Sequence, residues 1–344
     1  MLKKIALTLL LISITGAGAI FFAWQSLVTW AHSPLSLSFD DFVIERGQNL
    51  TQISKRLLSG EPRWKQRAAV FYASRLGLTR IKSGEYQISN TETWHQLLEK
   101  WVLGQVVVRQ VTLVEGWTIN QALEQLHKQE RLVQTLSSIK SAELLAKLPK
   151  DNNFPEGWFF ADTYSYQSGD SDLDILERAH LRMIRELDDS WQKRADNLPL
   201  ASPYEGLILA SIVEKETGVK SERPRIAGVF IERLRRGMRL QTDPTVIYGL
   251  GESYQGNLTR THLRQATDYN TYVISGLPPT PIALVGKESL DAVFQPLEED
   301  YLYFVAKGDG SHYFSKTLEE HNDAVRRYQI EKRAQNYQSS PSSQ

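Results

Sequence analysis

No cysteine occurs anywhere in the 344 residues. Disulfides, thiolate nucleophiles and Cys-ligated metal are therefore excluded, while the compartment stays open, because many exported chains also lack cysteine. Charge of one sign is missing as well: 40 Lys and Arg balance 40 Asp and Glu. Such a chain does not carry the basic footprint of a nucleic-acid binder, and it has no acidic tail. Familiar catalytic signatures are also wanting. The seven histidines are scattered, with no HExxH or other zinc spacing. There is no GxSxG and no Walker loop, and the Ser-x-x-Lys pairs Ser137–Lys140 and Ser190–Lys193 lack the S-D-N and K-T-G strings that would give them meaning. "DSDLD" at Asp170–Asp174 opens like a calcium loop, but Ile175 stands where Gly is required and Leu181 where Glu is required, so a solvated helix start is the expectation. No metal and no cofactor are expected.

What is present is 41% hydrophobic and 23% charged, an ordinary globular balance with apolar material for more than one core. Lys3 and Lys4 precede an uncharged run from Ile5 to Trp24, and the next acid is Asp40. About 20 apolar residues cross a ~30 Å hydrocarbon layer, so residues 5–24 are expected to be a transmembrane helix. Lysines on the leading side leave residues 1–4 cytoplasmic and the bulk beyond a bacterial inner membrane, in the periplasm. Ala17-Gly18-Ala19 fits a signal-peptidase pattern, yet the run continues to an interfacial Trp24, which favours an uncleaved anchor.

Residues 25–38 read as a linker. From 39 to 89 the order strand, helix, helix, strand is expected: Phe42–Glu45, a helix from about Thr51 capped by Asn49, a second over Trp64–Leu76 stopped by Gly77, and a strand carrying Tyr86 and Ile88. "RGQNLTQISKRL" (Arg46–Leu57) echoes "EGWTINQALEQL" (Glu115–Leu126). A generic strand-turn-helix joint accounts for the echo about as well as duplication does. Residues 90–153 form a connecting strand and helix region, polar and helical from Leu126 to Lys150. A mostly helical domain spans 154–334: a long helix over Leu173–Asn197, helices starting near Pro224 and Pro244 with Ser221 and Asp243 as candidate caps, stops at Gly237 and Gly251, and a hairpin of Tyr301–Ala306 with His312–Ser315. The "SSPSSQ" tail, within 335–344, is expected to be disordered. The fold class is α+β.

"GLILASIVEKETGVK" places Glu214 and Glu216 at the end of an apolar run. At about 100° per residue, Leu209, Ile212 and Val213 share the face of Glu216, while Glu214 projects to the side of Ala210 and Leu207. Glu216 therefore continues the most apolar stripe, and Glu214 is expected at the surface. Desolvation raises a carboxyl's pKa and keeps it protonated near neutral pH, which a general acid needs. The helix C-terminus pushes the same way. A rim glutamate paired with an arginine, or simply solvated, fits the spacing too. Arg233, Arg235, Arg236 and Arg239 read as the wet face of a helix, with Arg239 the best of them for an anionic ligand.

With these residues in view, the chain resembles the endolytic murein transglycosylases, the MltG or YceG-like family. The match is dense from Glu156 to Asn322, through "EGWFFADTY", "ASIVEKET", "MRLQTDPTVIYGLG", "YNTY", "GLPP" and "YLYFVAKGDGSHYFSKTLEEHN". The resemblance implies a LysM-like module at 39–89 and a catalytic domain at 154–334. It also implies cleavage of MurNAc–GlcNAc bonds inside peptidoglycan glycan strands without water, with peptidoglycan synthases as partners. The second glutamate of E-K-E-T, here Glu216, would be catalytic. Glu156 and Asp162, flanking an aromatic cluster that is otherwise core, and Gln241, Thr242, Asp243, Tyr269 and Asn270 would touch sugar or acetamido groups; Asp243 serves equally well as a helix cap. After "GLPP" the chain departs from the family: Thr280 stands where glycine is usual. A hydrolytic muramidase and a non-enzymatic wall-binding adaptor stay open as alternatives.

Overall fold

The computed structural model describes residues 2–37, 40–149 and 154–331; the low-complexity tail and the junction at residues 38–39 lie outside the described residues. The chain divides into two compact units. One holds residues up to Arg109 together with Ser165–Asp170, the other Gln110–Tyr164 and the residues from Ser171 on.

In the first unit, α1 runs from Leu2 to Ala31, so the helix extends through the first half of the segment expected to be a linker. Lys4–Ala31 is long and apolar enough to cross a membrane, with a mean hydropathy of 2.3. Its last turns are not solvated linker because Trp24, Leu27, Val28 and Trp30 pack on the unit's core and Ala31 is wholly buried. β1 (Asp41–Ile44) pairs antiparallel with β2 (Gly84–Gln87), and between them lie α2 (Leu50–Leu57) and α3 (Arg63–Arg75), in the expected order. Asn49 caps α2 as a full capping box with Gln52. α4 (Trp94–Leu103) completes the unit, burying Trp94, Leu97, Leu98 and Trp101. Glu85, almost fully buried, is held by a two-pronged ion pair from Arg109 at 2.7 and 2.9 Å.

β3 (Arg109–Thr112) leads out of the first unit into the second, where α5 (Ile119–His127) and the one-turn α6 (Ala142–Leu145) follow. The joint before α5 repeats that before α2: a glycine in left-handed conformation (Gly116, φ 78; Gly47, φ 86) and then a Thr118–Gln121 capping box matching Asn49–Gln52. The sequence echo thus corresponds to a shared joint chemistry. The helix expected over Leu126–Lys150 is not formed; apart from the end of α5 at His127 and from α6, its described part is loop. The buried carboxylate of Asp172 replaces helical bonding there, accepting from Thr135 N at 2.9 Å, Thr135 Oγ1 at 2.5 Å and Leu136 N at 3.1 Å. The "DSDLD" stretch does start a helix, capped by Ser171, but Asp172 is wholly buried rather than solvated.

β4 (Thr163–Tyr166) pairs with β3, and α7 follows over Asp172–Gln192, ending earlier than expected. Next come α8 (Pro203–Glu216), α9 (Arg223–Arg235), α10 (Asp243–Leu250), the short α11 (Arg260–Arg264) and α12 (Lys287–Phe294). Pro224 and Pro244 sit in first turns as expected. The α10 cap position is Thr242 rather than Asp243, and Ser221 caps nothing, α9 being preceded by a 3₁₀ turn over Lys220–Glu222. α8 is the hub, packed by α7, α9, α10 and α12. Being surrounded, it is buried on all sides from Gly206 to Glu214. β5 (Tyr303–Ala306) and β6 (His312–Ser315) form the expected antiparallel hairpin, followed by α13 (Leu318–Val325), which Thr317 caps.

Candidate active site

The E-K-E-T stretch sends each side chain to a different segment. Glu214 is not at the surface: it is 8% exposed, accepting from Arg223 Nη2 at 2.7 Å and from Gly286 N at 3.1 Å. α8 has no wet face for Glu214 to use, so the surface position expected for it does not exist. Lys215 reaches the carbonyl of Gly116 at 3.0 Å. Glu216, the last helical residue, is partly exposed, and Thr242 Oγ1 donates a hydrogen bond to its Oε1. Thr217 turns the chain into extended conformation and is buried.

The Glu216 carboxyl is pushed up to about 7. Desolvation is the main cause and the charge of Asp243 adds to it, against the Thr242 hydrogen bond and the Arg233 guanidinium. Thr242 is held in turn: its N–H donates to Thr271 Oγ1 at 3.0 Å, and its carbonyl accepts from Thr245 Oγ1 at 2.8 Å. Asp243, exposed at the start of α10, accepts from Tyr272 OH at 2.7 Å. Arg239 is exposed and donates to the Tyr272 carbonyl at 3.1 Å. Gln241 has a left-handed backbone (φ 51), costly for a non-glycine residue, and its N–H bonds Thr271 O at 3.1 Å. Arg233 belongs to no wet face. It is 7% exposed and donates to Leu302 O and Leu240 O, each at 2.7 Å, because its position on α9 points under the hairpin.

A second group gathers around Glu156, which is 5% exposed. Ile119 N at the start of α5 donates to it at 2.9 Å and Tyr248 OH at 3.2 Å. Burial pushes this carboxyl to about 7 as well, against those hydrogen bonds and the Lys215 charge. Tyr248 meets the Tyr269 ring at 5.0 Å, and Tyr269 OH bonds Thr280 Oγ1 at 2.7 Å. The unusual Thr280 thus has a partner of its own. α10 carries members of both groups, Asp243 at its start and Tyr248 further along. Asn270 is buried, its amide donating to His262 O and Gln265 O; it shapes the loop that carries Tyr269 and Tyr272. Asp162 stands apart, ion-paired with Arg182 of α7. Tyr272, Thr271, Thr245 and Arg233 escaped the sequence reading as site members. Thr242 and Thr245 bracketing Asp243-Pro244, and Thr271 and Tyr272 closing "YNTY", were the signals available.

A carboxyl balanced between its two protonation states near pH 7 can give a proton and take it back. The structure is thus an α+β protein with an apolar N-terminal helix and a carboxyl of raised pKa ending its hub helix. The profile of the YceG-like family matches residues 42–327, and the chain belongs to that family. It is 28% identical over 304 residues to the endolytic murein transglycosylase of Bacillus subtilis (strain 168), covering 83% of each chain. It is 26% identical over 289 residues to that of Streptococcus pneumoniae serotype 2 (strain D39), spanning 74% of this chain and 52% of the other. A crystal structure of a putative yceG-like protein from Listeria monocytogenes superposes with a TM-score of 0.52 at 31% identity, covering 82% of this chain and 98% of that one.

Proposed function

We propose that this chain is a membrane-anchored endolytic lytic transglycosylase that cuts MurNAc–GlcNAc bonds within peptidoglycan glycan strands. The observation that carries the reading is the Glu216 carboxyl, pushed up to about 7 at the end of a buried helix, in a chain of the YceG-like family. Glu216 protonates the glycosidic oxygen as the bond from that oxygen to C1 of MurNAc breaks. The sugar's own 6-hydroxyl then closes onto C1 and returns its proton to the Glu216 carboxylate. Protons balance, no water is consumed, and the product end is 1,6-anhydro-MurNAc. The tethered hydroxyl supplies the entropic advantage of an intramolecular attacker, so one carboxyl serves where a hydrolase uses two.

Thr242 aims Glu216, and the Asp243 charge disfavours its early ionisation. Asp243, Tyr272, Gln241 and Arg239 offer polar groups for sugar hydroxyls and acetamido arms. Glu156, Tyr269 and Asn270 support the wall of the site from within, and Asp162 contributes a more distant carboxylate. In this reading α1 crosses the bacterial inner membrane with its N-terminus cytoplasmic, the strand-helix-helix-strand unit is a LysM-like module, and peptidoglycan synthases are partners.

Digestion of purified peptidoglycan followed by mass analysis tests the proposal. Fragments one water lighter than hydrolysis products are expected from the native chain. Their release by Glu216→Gln should fall by about 10²–10⁴-fold, the range general acid–base groups supply. Reducing-end fragments would indicate a muramidase, retention without cleavage an adaptor, and undiminished anhydro product from the variant would remove Glu216 from the mechanism.

A further inference from the structure

The first residue of α1 to touch the body of its unit is Trp24; from Ile5 to Phe22 the large apolar side chains stand 54–73% exposed. Trp24 stacks on Tyr72 at 6.0 Å between ring centroids and meets the edge of Phe71 at 6.3 Å. Both partners lie on α3. Counting from Ile5 at about 1.5 Å per residue, Trp24 falls at the far boundary of a ~30 Å hydrocarbon layer. Phe71 is therefore placed at the same depth.

The rest of α3 fits that level. Its inward face buries Ala69, Tyr72 and Ala73. Its outward face carries Trp64, Arg67, Phe71 and Arg75 at spacings of three and four residues, one stripe of a helix. All four are exposed, Trp64 to 66% and Phe71 to 50%, and the Arg75 guanidinium sits over the Phe71 ring at 5.3 Å. Just beyond, Leu76 is 44% exposed. In a chain of zero net charge, residues 61–82 hold six cations and one acid, Glu61, which is already bonded to Lys65 at 2.8 Å. Arg63 and Arg67, with Lys55 from α2, also line a groove of about 560 Å³, together with Thr51 and Gln66. Large aromatics interleaved with arginines on one face, beside the exit of a spanning helix, match a bilayer surface: rings enter the headgroup–acyl boundary while guanidinium groups meet phosphates.

We propose that α3 is an interfacial helix that rests on the surface of the bilayer α1 crosses, with Trp64 and Phe71 inserted and Arg63, Arg67 and Arg75 on anionic phospholipid headgroups. The inference rests on reading α1 as a membrane span. It makes the anchor a two-point attachment, in which the first folded unit is fixed against the membrane instead of swinging on a tether.

The cysteine-free sequence makes the test direct. Single nitroxide labels go on Trp64→Cys, Arg67→Cys, Phe71→Cys and, as a reference, Ile14→Cys, all exposed positions of the full chain in lipid nanodiscs. Accessibility to oxygen against a water-soluble nickel chelate then reports depth. Positions 64 and 71 should lie about 5–10 Å below the surface and position 67 nearer the phosphates, with position 14 in the hydrocarbon centre. Phosphatidylglycerol should deepen 64 and 71 relative to phosphatidylcholine alone, and the combined change of Arg63, Arg67 and Arg75 to Gln should abolish that difference. Aqueous readings at 64 and 71 with position 14 still in hydrocarbon would overturn the interfacial helix and leave the anchor standing. Aqueous readings at 14 as well would overturn both. Labels at 64 and 71 immobilised by soluble glycan fragments and indifferent to lipid would reassign this face to polysaccharide.

Discussion

Thr242 shows what a single hydroxyl can decide. Its donated hydrogen bond holds one oxygen of Glu216 and opposes the desolvation that raises the carboxyl. Thr242→Val keeps the shape and removes the donor. With that opposition gone, the carboxyl rises above its native value of about 7, so the falling limb of the pH–rate profile should move to higher pH. The optimum rate should drop about tenfold, the worth of one lost hydrogen bond in the transition state. A merely structural role would lower thermal stability and leave the limb in place, so the profile is the deciding measurement. Arg223 is the opposite case, a residue whose value is structural. It is 4% exposed, bonded to Glu214 at 2.7 Å and Glu115 at 3.2 Å. Arg223→Met would strand Glu214 in the core, and a loss of about 3–5 kcal/mol is expected, read as a lowered urea midpoint. Sequence spacing foresaw a special environment for Glu216 but not for Glu214. Counting positions around one helix cannot show how many neighbours surround it.

At the scale of elements, that same crowding explains which parts of the fold were legible. Where signals are local, they read through: Asn49 as a cap, Pro224 and Pro244 in first turns, the hairpin between Tyr303 and Ser315. Where long-range contacts decide, the sequence misled. Residues 126–149 carry helix-compatible composition, yet the carboxylate of Asp172, distant in sequence, takes the N–H groups of Thr135 and Leu136. Residues 25–31 look like linker only until Trp24 and Ala31 find their core. Arg233, solvated by pattern, lies beneath the hairpin. Of the candidate site, the sequence marked Glu216, Thr242 and Asp243 but not Tyr272, which joins them only through a loop fold set by the buried amide of Asn270. α8 yields an element-scale prediction. A Cβ on Gly206 would stand 2.2 Å from Phe294 Cζ and 2.4 Å from its Cε1. Alanine favours a helix over glycine by about 1 kcal/mol, but overpacking a rigid, buried ring costs about 1–3 kcal/mol. The clash should win, and Gly206→Ala should lower the denaturation midpoint despite its better helix propensity.

For the whole molecule, buried carboxyls set how stability follows pH. Asp172 is buried, which alone would raise it, but hydrogen bonds from Thr135, Leu136 and Leu173 win and hold it below its ordinary 3.8. A lowered acid contributes stability above its unfolded value and loses it as pH falls, so Asp172 weakens the fold on the acid side. Glu156 and Glu216 act in the opposite sense. Each is raised from 4.5 to about 7. Below about pH 4.5 both states are protonated and neither residue matters. Between 4.5 and 7 the unfolded chain releases protons that the folded chain retains, so stability falls with rising pH; above 7 the loss is complete. For Glu156, 5% exposed, the loss is on the order of 3 kcal/mol; for Glu216, which keeps some solvent, it is smaller. Urea midpoints measured from pH 3 to 9 should therefore peak near the ordinary carboxylate range and decline toward neutrality. Glu156→Gln combined with Glu216→Gln should flatten the decline between 4.5 and 7 while leaving the acid limb untouched. If the double variant declines as steeply as the native chain, these carboxyls are not held protonated by the fold, and the proton that Glu216 is proposed to donate would not be there at neutral pH.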